Sequence, residues 1–537
     1  MRLSTDDDRD EELAVETIAA AVKAGVTVFD TAHAYARAGE ELGHNEALLA
    51  RALRRCGGGE GVRIVTKGGM TRVDGRWIPD GRASSIRRDC EASLAALDGL
   101  PIDLYLIHAP DPRTPWRTTV RALARLLDDA VVQRVGLSNV NRSQLDEALE
   151  LVPVTAVQIA LSLYDDGPIR GGLIEHCARQ GVAVIAHSPL GGPRRAGSLA
   201  RNTALVDVAN QTSAIPAEVA LAWILALSPT VVAIPGARRP QTARSLGRAA
   251  RLSLDADQRA VLTRAFGRPR AARVAPTRLR DDADVVLVMG IPGAGKTGAA
   301  EGYVARGYLR LNRDSRGGSL RELAESLDTA LSEGVRRVVL DNTWLTRVAR
   351  SHVIDAAARH RVPIRCVWIE TQLAQAQVNL IGRVLDRFGS LPAPDALKEL
   401  ARRQPGVLTP TSQMRTLREL EPPSTDEGLA SVERVPFVRR PTAGHTAAGV
   451  FVAATALRRP GWAHALEEGD RGAPHLVFDW SPDGQMGALD ACVALLRTTV
   501  HGTIESALCP HAAGPPVCWC RPPLPGLPLA FARAHRI

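Results

Sequence analysis

The chain has 537 residues, 45% of them hydrophobic and 23% charged, with a formal net charge of +9. At roughly 100–200 residues per domain this length predicts two to four domains, and the lack of any run of about 18 apolar residues argues against a membrane partner. The opening "MRLSTDDDRDEEL" is acidic and lacks the basic end and apolar stretch of a secretory signal, so a cytoplasmic protein without disulfides is expected. Nearly all of the positive charge is arginine, and the lysines are Lys23, Lys67, Lys296 and Lys398. A chain that otherwise uses arginine keeps lysine where a compact ammonium is wanted in place of a planar fork.

From Val26 to about Leu246, short β-branched runs alternate with Ala/Leu/Arg-rich stretches: "VTVFD", "RIVTK", "DLYLIH", "RVGLS", "AVQIA", "VAVIAH" and "TVVAIP". With "MRLS" as a first strand these predict an eight-stranded parallel (β/α)8 TIM barrel over residues 1–268. An Arg/Pro-rich stretch without period, 269–283, reads as a linker. The strand "DVVLVMG", a Gly-rich loop and a second strand "RRVVLD" then open a P-loop NTPase-type doubly wound parallel sheet over 284–438. A second linker is expected at 439–448, and residues 449–537 form a small partial α/β segment rich in Pro and Cys. The fold class is thus α/β multidomain.

In a βα barrel, residues at the carboxyl ends of strands carry the chemistry. Here those endings are Asp30, followed by Tyr35, then Lys67 and His108. A phenol with an ammonium beside it, the ammonium held by a carboxylate, forms a proton-donating site. Singly, Asp30 reads equally well as a helix cap and His108 as a core histidine.

The stretches "FDTAHAYARAGEELGHNEALLARAL", "VTKGG", "LIHAPD", "GLSNVN", "VQIALSLY", "AHSPLGG" and "AIPGARRPQ" resemble the aldo-keto reductase family across about residues 1–250. The resemblance implies NADPH as cofactor and a small carbonyl substrate. Tyr35 would be the general acid, Lys67 and Asp30 would tune it, and His108 would orient the carbonyl. Ser138, Asn139 and Gln158 match positions that hold the nicotinamide amide, and His187 stands where an aromatic ring usually stacks on the nicotinamide. Arg238 and Arg239 are placed to take the 2′-phosphate. The chain departs from the family in starting inside its first strand and in carrying Arg244–Ser245 for the usual Glu–Asn near the adenosine.

"GIPGAGKTG" fits G-x-x-x-x-G-K-[ST] between an apolar strand and a helix. Gly290, Gly293 and Gly295 let the backbone curl around phosphate oxygens, Lys296 reaches the β and γ phosphates of ATP, and Thr297 offers a hydroxyl to Mg²⁺. The order "YLRLNRDSRGG", "VVLDNTWLTRVAR", "TQLAQAQVNLIGRVLDRFGSLP" resembles the kinase domain of polynucleotide kinases over about 284–437. By that resemblance Asp314 is the base toward a nucleic acid with a 5′-hydroxyl end, Asp341 acts near the metal, and Arg350 and Arg383 steady phosphates. Arg350 and Arg383 read equally well as solvated helix faces, and small-molecule kinases share this core.

Near the end, Cys509, His511, Cys518 and Cys520 give C-x-H-x6-C-x-C, four ligands close enough in sequence for one tetrahedral structural Zn²⁺. The stretch looks like the zinc loop of histidinol-phosphatase-like haloacid dehalogenase phosphatases. Ala453 and Thr455 stand in place of that family's nucleophile aspartates, and Arg521-Pro522-Pro523 replaces its Arg-Lys-Pro, so a non-catalytic, truncated remnant is expected. Asp479 reads as structural. Together these features predict a carbonyl reductase fused to an ATP-dependent phosphotransferase, or else a regulatory protein that senses NADPH and binds nucleotide and nucleic acid without reductase turnover.

Overall fold

The computed structural model describes residues 1–57, 60–266, 282–439, 448–464 and 470–537. Most of the two expected linkers, 269–283 and 439–448, lies outside the described residues. The chain divides into two compact units, Met1–Arg273 and Val274–Ile537.

In the first unit the strands are β1 (Val28–Asp30), β2 (Arg63–Gly68), β3 (Met70–Val73), β4 (Arg76–Pro79), β5 (Leu104–Ile107), β6 (Val135–Ser138), β7 (Val154–Ala160), β8 (Ala183–His187) and β9 (Val231–Ile234). Seven of them form one parallel sheet in the order β1-β2-β5-β6-β7-β8-β9, and β3 and β4 form a separate antiparallel hairpin. This is a nearly closed parallel barrel. The expected eighth strand, "MRLS", is instead a helical turn, Arg2–Thr5. The turn brings the buried Ser4 to the first turn of the His44–Arg55 helix, where Asn45 Nδ2 donates to its hydroxyl at 2.7 Å.

Alternation along each strand sorts the core into two layers. Val65, Leu104, Leu106, Ala156 and Ile185 meet one another on one face, while Ile64, Tyr105, Ile107 and Val157 pack with the surrounding helices on the other. Lys67 follows Val65 by two positions, so it shares the inner face.

The second unit holds β10 (Asp284–Met289), β11 (Leu309–Asn312), β12 (Arg337–Asp341), β13 (Ile364–Glu370) and β14 (Val432–Pro436), all parallel in the order β11-β12-β10-β13-β14. Val285, Leu287 and Met289 belong to one core cluster and Val286 and Val288 to another, because helices cover both faces of the sheet. A strand buried on both sides must be apolar throughout, which is why β10 reads "VVLVM" without alternation. Residues 448–537 add a three-stranded parallel sheet, β15 (Val450–Ala453), β16 (His475–Trp480) and β17 (Ile504–Cys509), over a small core that includes Val452, Val477, Leu489 and Leu496.

Candidate active sites and metal centre

β2 ends by placing Lys67, 1% exposed, inside the barrel mouth. Its ammonium donates to both oxygens of Asp30, at 2.8 and 2.7 Å, and to the Thr31 carbonyl at 2.6 Å. Gln158 Nε2, from β7, donates to the same Asp30 carboxylate at 2.6 Å. The ammonium lies 5.1 Å from the centre of the Tyr35 ring, and that ring meets His108 edge-on at 5.5 Å. Burial raises the Tyr35 phenol above its ordinary value despite the opposing pull of Lys67. Burial, assisted by Lys67, pushes the His108 imidazole down to about 3. The site thus presents a protonated phenol, a neutral imidazole and a held ammonium side by side.

Asn139, in the left-handed region at φ 57°, donates from Nδ2 to the His108 carbonyl at 3.0 Å and to Ser138 Oγ at 3.1 Å. His187 Nε2 lies 3.2 Å from Asn139 Oδ1. Trp77 joins this group from β4, its ring 6.0 Å from that of Tyr35 and 6.1 Å from that of His108. Sequence reasoning missed Trp77. The signal was there in Asp74–Gly75, a dipeptide suited to positive φ, which closes the β3–β4 hairpin at φ 48° and 75°.

Arg238 is not free for a phosphate. It pairs with Asp8 at 2.8 Å and Asp6 at 3.4 Å, while Arg239 is exposed at the start of the Pro240–Arg251 helix. Ser245 donates to the Glu218 carboxylate at 2.7 Å.

In the second unit the loop after β10 is shaped by glycines that nothing else replaces. Gly293 and Gly295 both have φ 89°; a Cβ on the first would lie 2.2 Å from the Ala376 carbonyl oxygen, and one on the second 2.7 Å from the Phe437 ring. Lys296 donates to the Ile291 carbonyl at 3.0 Å, and burial lowers its pKa to about 8 against the opposing charges of Asp341 and Asp314. Arg383 is likewise lowered by burial and faces Asp314, which is exposed. Asp341, at the end of β12, accepts from Arg310 at 2.5 Å and from Asn312 at 3.1 Å through one carboxylate oxygen, Oδ2. Thr297 is exposed at the start of the Lys296–Val304 helix.

Arg350 does not belong to this group. Fully buried, it donates Nε and Nη2 to the Glu427 carboxylate, both at 2.8 Å, and Nη1 to the carbonyls of Trp344, Leu345 and Glu421. Of the five N–H groups of its guanidinium these contacts engage four, on all three nitrogens, and with the side chain fully buried the group is committed to the protein and not presented to a phosphate.

At the end of β17, Cys509, His511, Cys518 and Cys520 each offer a ligand atom within 4.8 Å of the others. The sulfur–sulfur separations are 3.6, 3.5 and 3.1 Å, and His511 Nδ1 is 3.4 and 3.3 Å from Cys509 and Cys520. Ligands about 2.3 Å from one ion at tetrahedral angles stand ~3.8 Å apart, so this set fits zinc after a slight expansion. Asp479 accepts from Arg458 at 2.5 Å and from the Trp480 amide, as a structural carboxylate would.

The model of the aldo/keto reductase family matches residues 1–265. An aldo-keto reductase of Strobilurus tenacellus is 31% identical over 266 residues, covering 44% of this chain and 74% of its own. An uncharacterised oxidoreductase of Schizosaccharomyces pombe is 30% identical over 233 residues, 43% of this chain and 72% of its own. The chain belongs to the aldo/keto reductase family. A crystal structure of a Klebsiella pneumoniae aldo/keto reductase in complex with NADP and acetate is 26% identical, covers 49% of this chain and 87% of that one, and has a TM-score of 0.42. The reductase unit is followed by a second match, a model of the AAA domain over residues 285–404, which spans the Gly-rich loop and Asp341. Along the chain, the aldo/keto reductase barrel is thus followed by a P-loop-like nucleotide-binding domain.

Proposed function

We propose that the first unit is an NADPH-dependent reductase of aldehydes or ketones. The observation that carries this is the Asp30–Lys67–Tyr35–His108 group, in which Lys67 is ion-paired to Asp30 at 2.7 Å beside a buried phenol. Residues near the mouth fit the cofactor: Ser138, Asn139 and Gln158 offer amide and hydroxyl groups, His187 a ring face, and Arg239 an unshielded cation for the 2′-phosphate. His108 Nδ1 is buried without a partner among the described residues, leaving polar capacity for a bound molecule. The cofactor, when bound, supplies a hydride. Tyr35 holds the proton that the nascent alkoxide takes up, and the Lys67 ammonium favours the phenolate left behind. Neutral His108 positions the carbonyl oxygen. The test is oxidation of NADPH over a panel of aldehydes; tight NADPH binding with no turnover across that panel would favour a sensor instead.

The second unit, in this proposal, transfers the γ-phosphate of ATP to the 5′-hydroxyl of a polynucleotide. A loop turned by Gly293 and Gly295 at φ 89°, the first packed too closely on the Ala376 carbonyl to carry a Cβ, fits a phosphate chain, with Lys296 and Arg383 for its charge and Thr297 and Asp341 beside Mg²⁺. Asp314, exposed and facing Arg383, takes the hydroxyl proton on its carboxylate. Radiolabel transfer to a 5′-hydroxyl oligonucleotide tests it, and transfer only to nucleoside-sized acceptors would leave a small-molecule kinase. Zn²⁺ bound by Cys509, His511, Cys518 and Cys520 would close a structural four-ligand set, with no phosphatase chemistry in a segment lacking the nucleophile aspartate.

A further inference from the structure

The Leu373–Phe388 helix is gripped from two directions. Toward the Gly-rich loop, Asn379 Nδ2 donates to the Gly293 carbonyl at 2.8 Å, and the Ala376 carbonyl comes so close to Gly293 that no Cβ fits between. The same helix carries Arg383. Its other side is apolar. Successive helical residues turn by ~100°, so Ile381 and Leu385, two positions either way, stand about 200° round from Arg383. Ile381, Leu385 and Leu380 are at most 2% exposed and form one cluster with Leu397, Val407 and Trp519.

Trp519 is the residue between Cys518 and Cys520. Its indole is 1% exposed, and its Nε1 donates to the Leu408 carbonyl at 2.9 Å. The metal loop is therefore joined to the helix by the side chain most directly set by two of the four ligands. Behind it, the Gly526 amide donates to the Trp519 carbonyl at 3.2 Å, and Arg533 pairs with Asp386 near the end of the helix.

We propose that the Cys509–Cys520 loop is a metal-set clamp on the nucleotide site: an ion closing the loop fixes Trp519 against the Leu373–Phe388 helix, which in turn holds Gly293 and Arg383 in register for ATP. Trp519 is a positioning residue in this scheme. The inference rests on the reading that the four ligands take zinc.

The test uses the full chain, with three readouts: zinc content, hydrogen exchange of amides 373–388, and binding of a fluorescent ATP analogue. The parent should carry about one zinc. Trp519→Ala should keep the zinc, speed exchange across 373–388, and weaken ATP about tenfold, a usual size for coupling between sites. Trp519→Phe should recover most of both. Stripping zinc from the parent should have the same effect as Trp519→Ala, and returning Zn²⁺ should reverse it. NADPH binding should not change in any of these. Zinc-loaded Trp519→Ala with parental exchange and parental ATP affinity would overturn the clamp and leave the metal site standing. A parent that neither carries nor takes up Zn²⁺ would overturn the metal reading itself.

Discussion

Tyr35 and His108 have opposite electrostatic needs, and burial serves both. Desolvation disfavours charge of either sign, so it keeps the phenol protonated and the imidazole neutral. Of these two groups, it is Tyr35 that can act as the acid of the proposed reduction at neutral pH. Tyr35→Phe should lower aldehyde reduction by about 10²–10⁴-fold, since that proton acts in the transition state, while NADPH binding measured by fluorescence persists. The imidazole also makes a stability prediction. His108 titrates at about 3 in the folded chain and near its ordinary value of 6.5 when unfolded. Between those values the unfolded chain binds the proton and the folded chain does not, so the contribution is present above about 6.5 and lost as pH falls. At pH 5 the loss is ~2 kcal/mol. The His108→Asn variant should lack it, so urea midpoints of the barrel at pH 7 and pH 5 should differ less than in the parent. An equal difference in both proteins would mean that other groups govern the acid limb.

At the level of elements, the strand endings were legible in sequence and the helix faces were not. A parallel strand announces itself by β-branched runs, and its last residue lies at a known end of the sheet; Asp30, Lys67, His108 and Asp341 could therefore be placed from the sequence. Arg350 could not, because a helix offers inward and outward positions and the carboxylate that claims it, Glu427, lies 77 residues further along. Its partnership makes it a stability residue. Arg350→Met takes away the two close bonds to Glu427 and leaves that buried carboxylate with the Ser424 amide at 3.0 Å and Arg347 at 3.5 Å, so the second unit should lose about 3 kcal/mol, the lower end of the range for breaking a buried pair. Chemical unfolding should show the loss whether or not ATP is present. The Gly-rich loop behaves differently. Gly293→Ala places a Cβ 2.2 Å from the Ala376 carbonyl at φ 89°, so the loop and the Leu373–Phe388 helix must part. ATP binding should fall at least tenfold, while the unfolding midpoint moves by only about 1–2 kcal/mol of stability, the size of one relieved backbone strain.

At the scale of the molecule, the order of parts could be read from the sequence because each part has its own core pattern. The helical turn Arg2–Thr5, in place of the expected strand, and the packing of Trp519 with the Leu373–Phe388 helix depend on contacts between segments far apart in the chain, and no local pattern reports them. Each compact unit buries its own apolar clusters: Val120, Val157 and Trp223 in the first, Leu287, Val338 and Trp344 in the second. Separate cores give separate cooperative transitions, because cooperativity follows shared burial. Calorimetry should therefore resolve two transitions. A ligand stabilises only the cooperative unit that binds it, by about 2.7 kcal/mol at a hundred times its dissociation constant. NADP⁺ should raise one transition and MgATP the other, and Lys296→Ala should abolish the second shift while leaving the first. A single transition moved by both ligands would mean that the reductase and nucleotide-binding units fold as one, and that occupancy of either site is felt at the other.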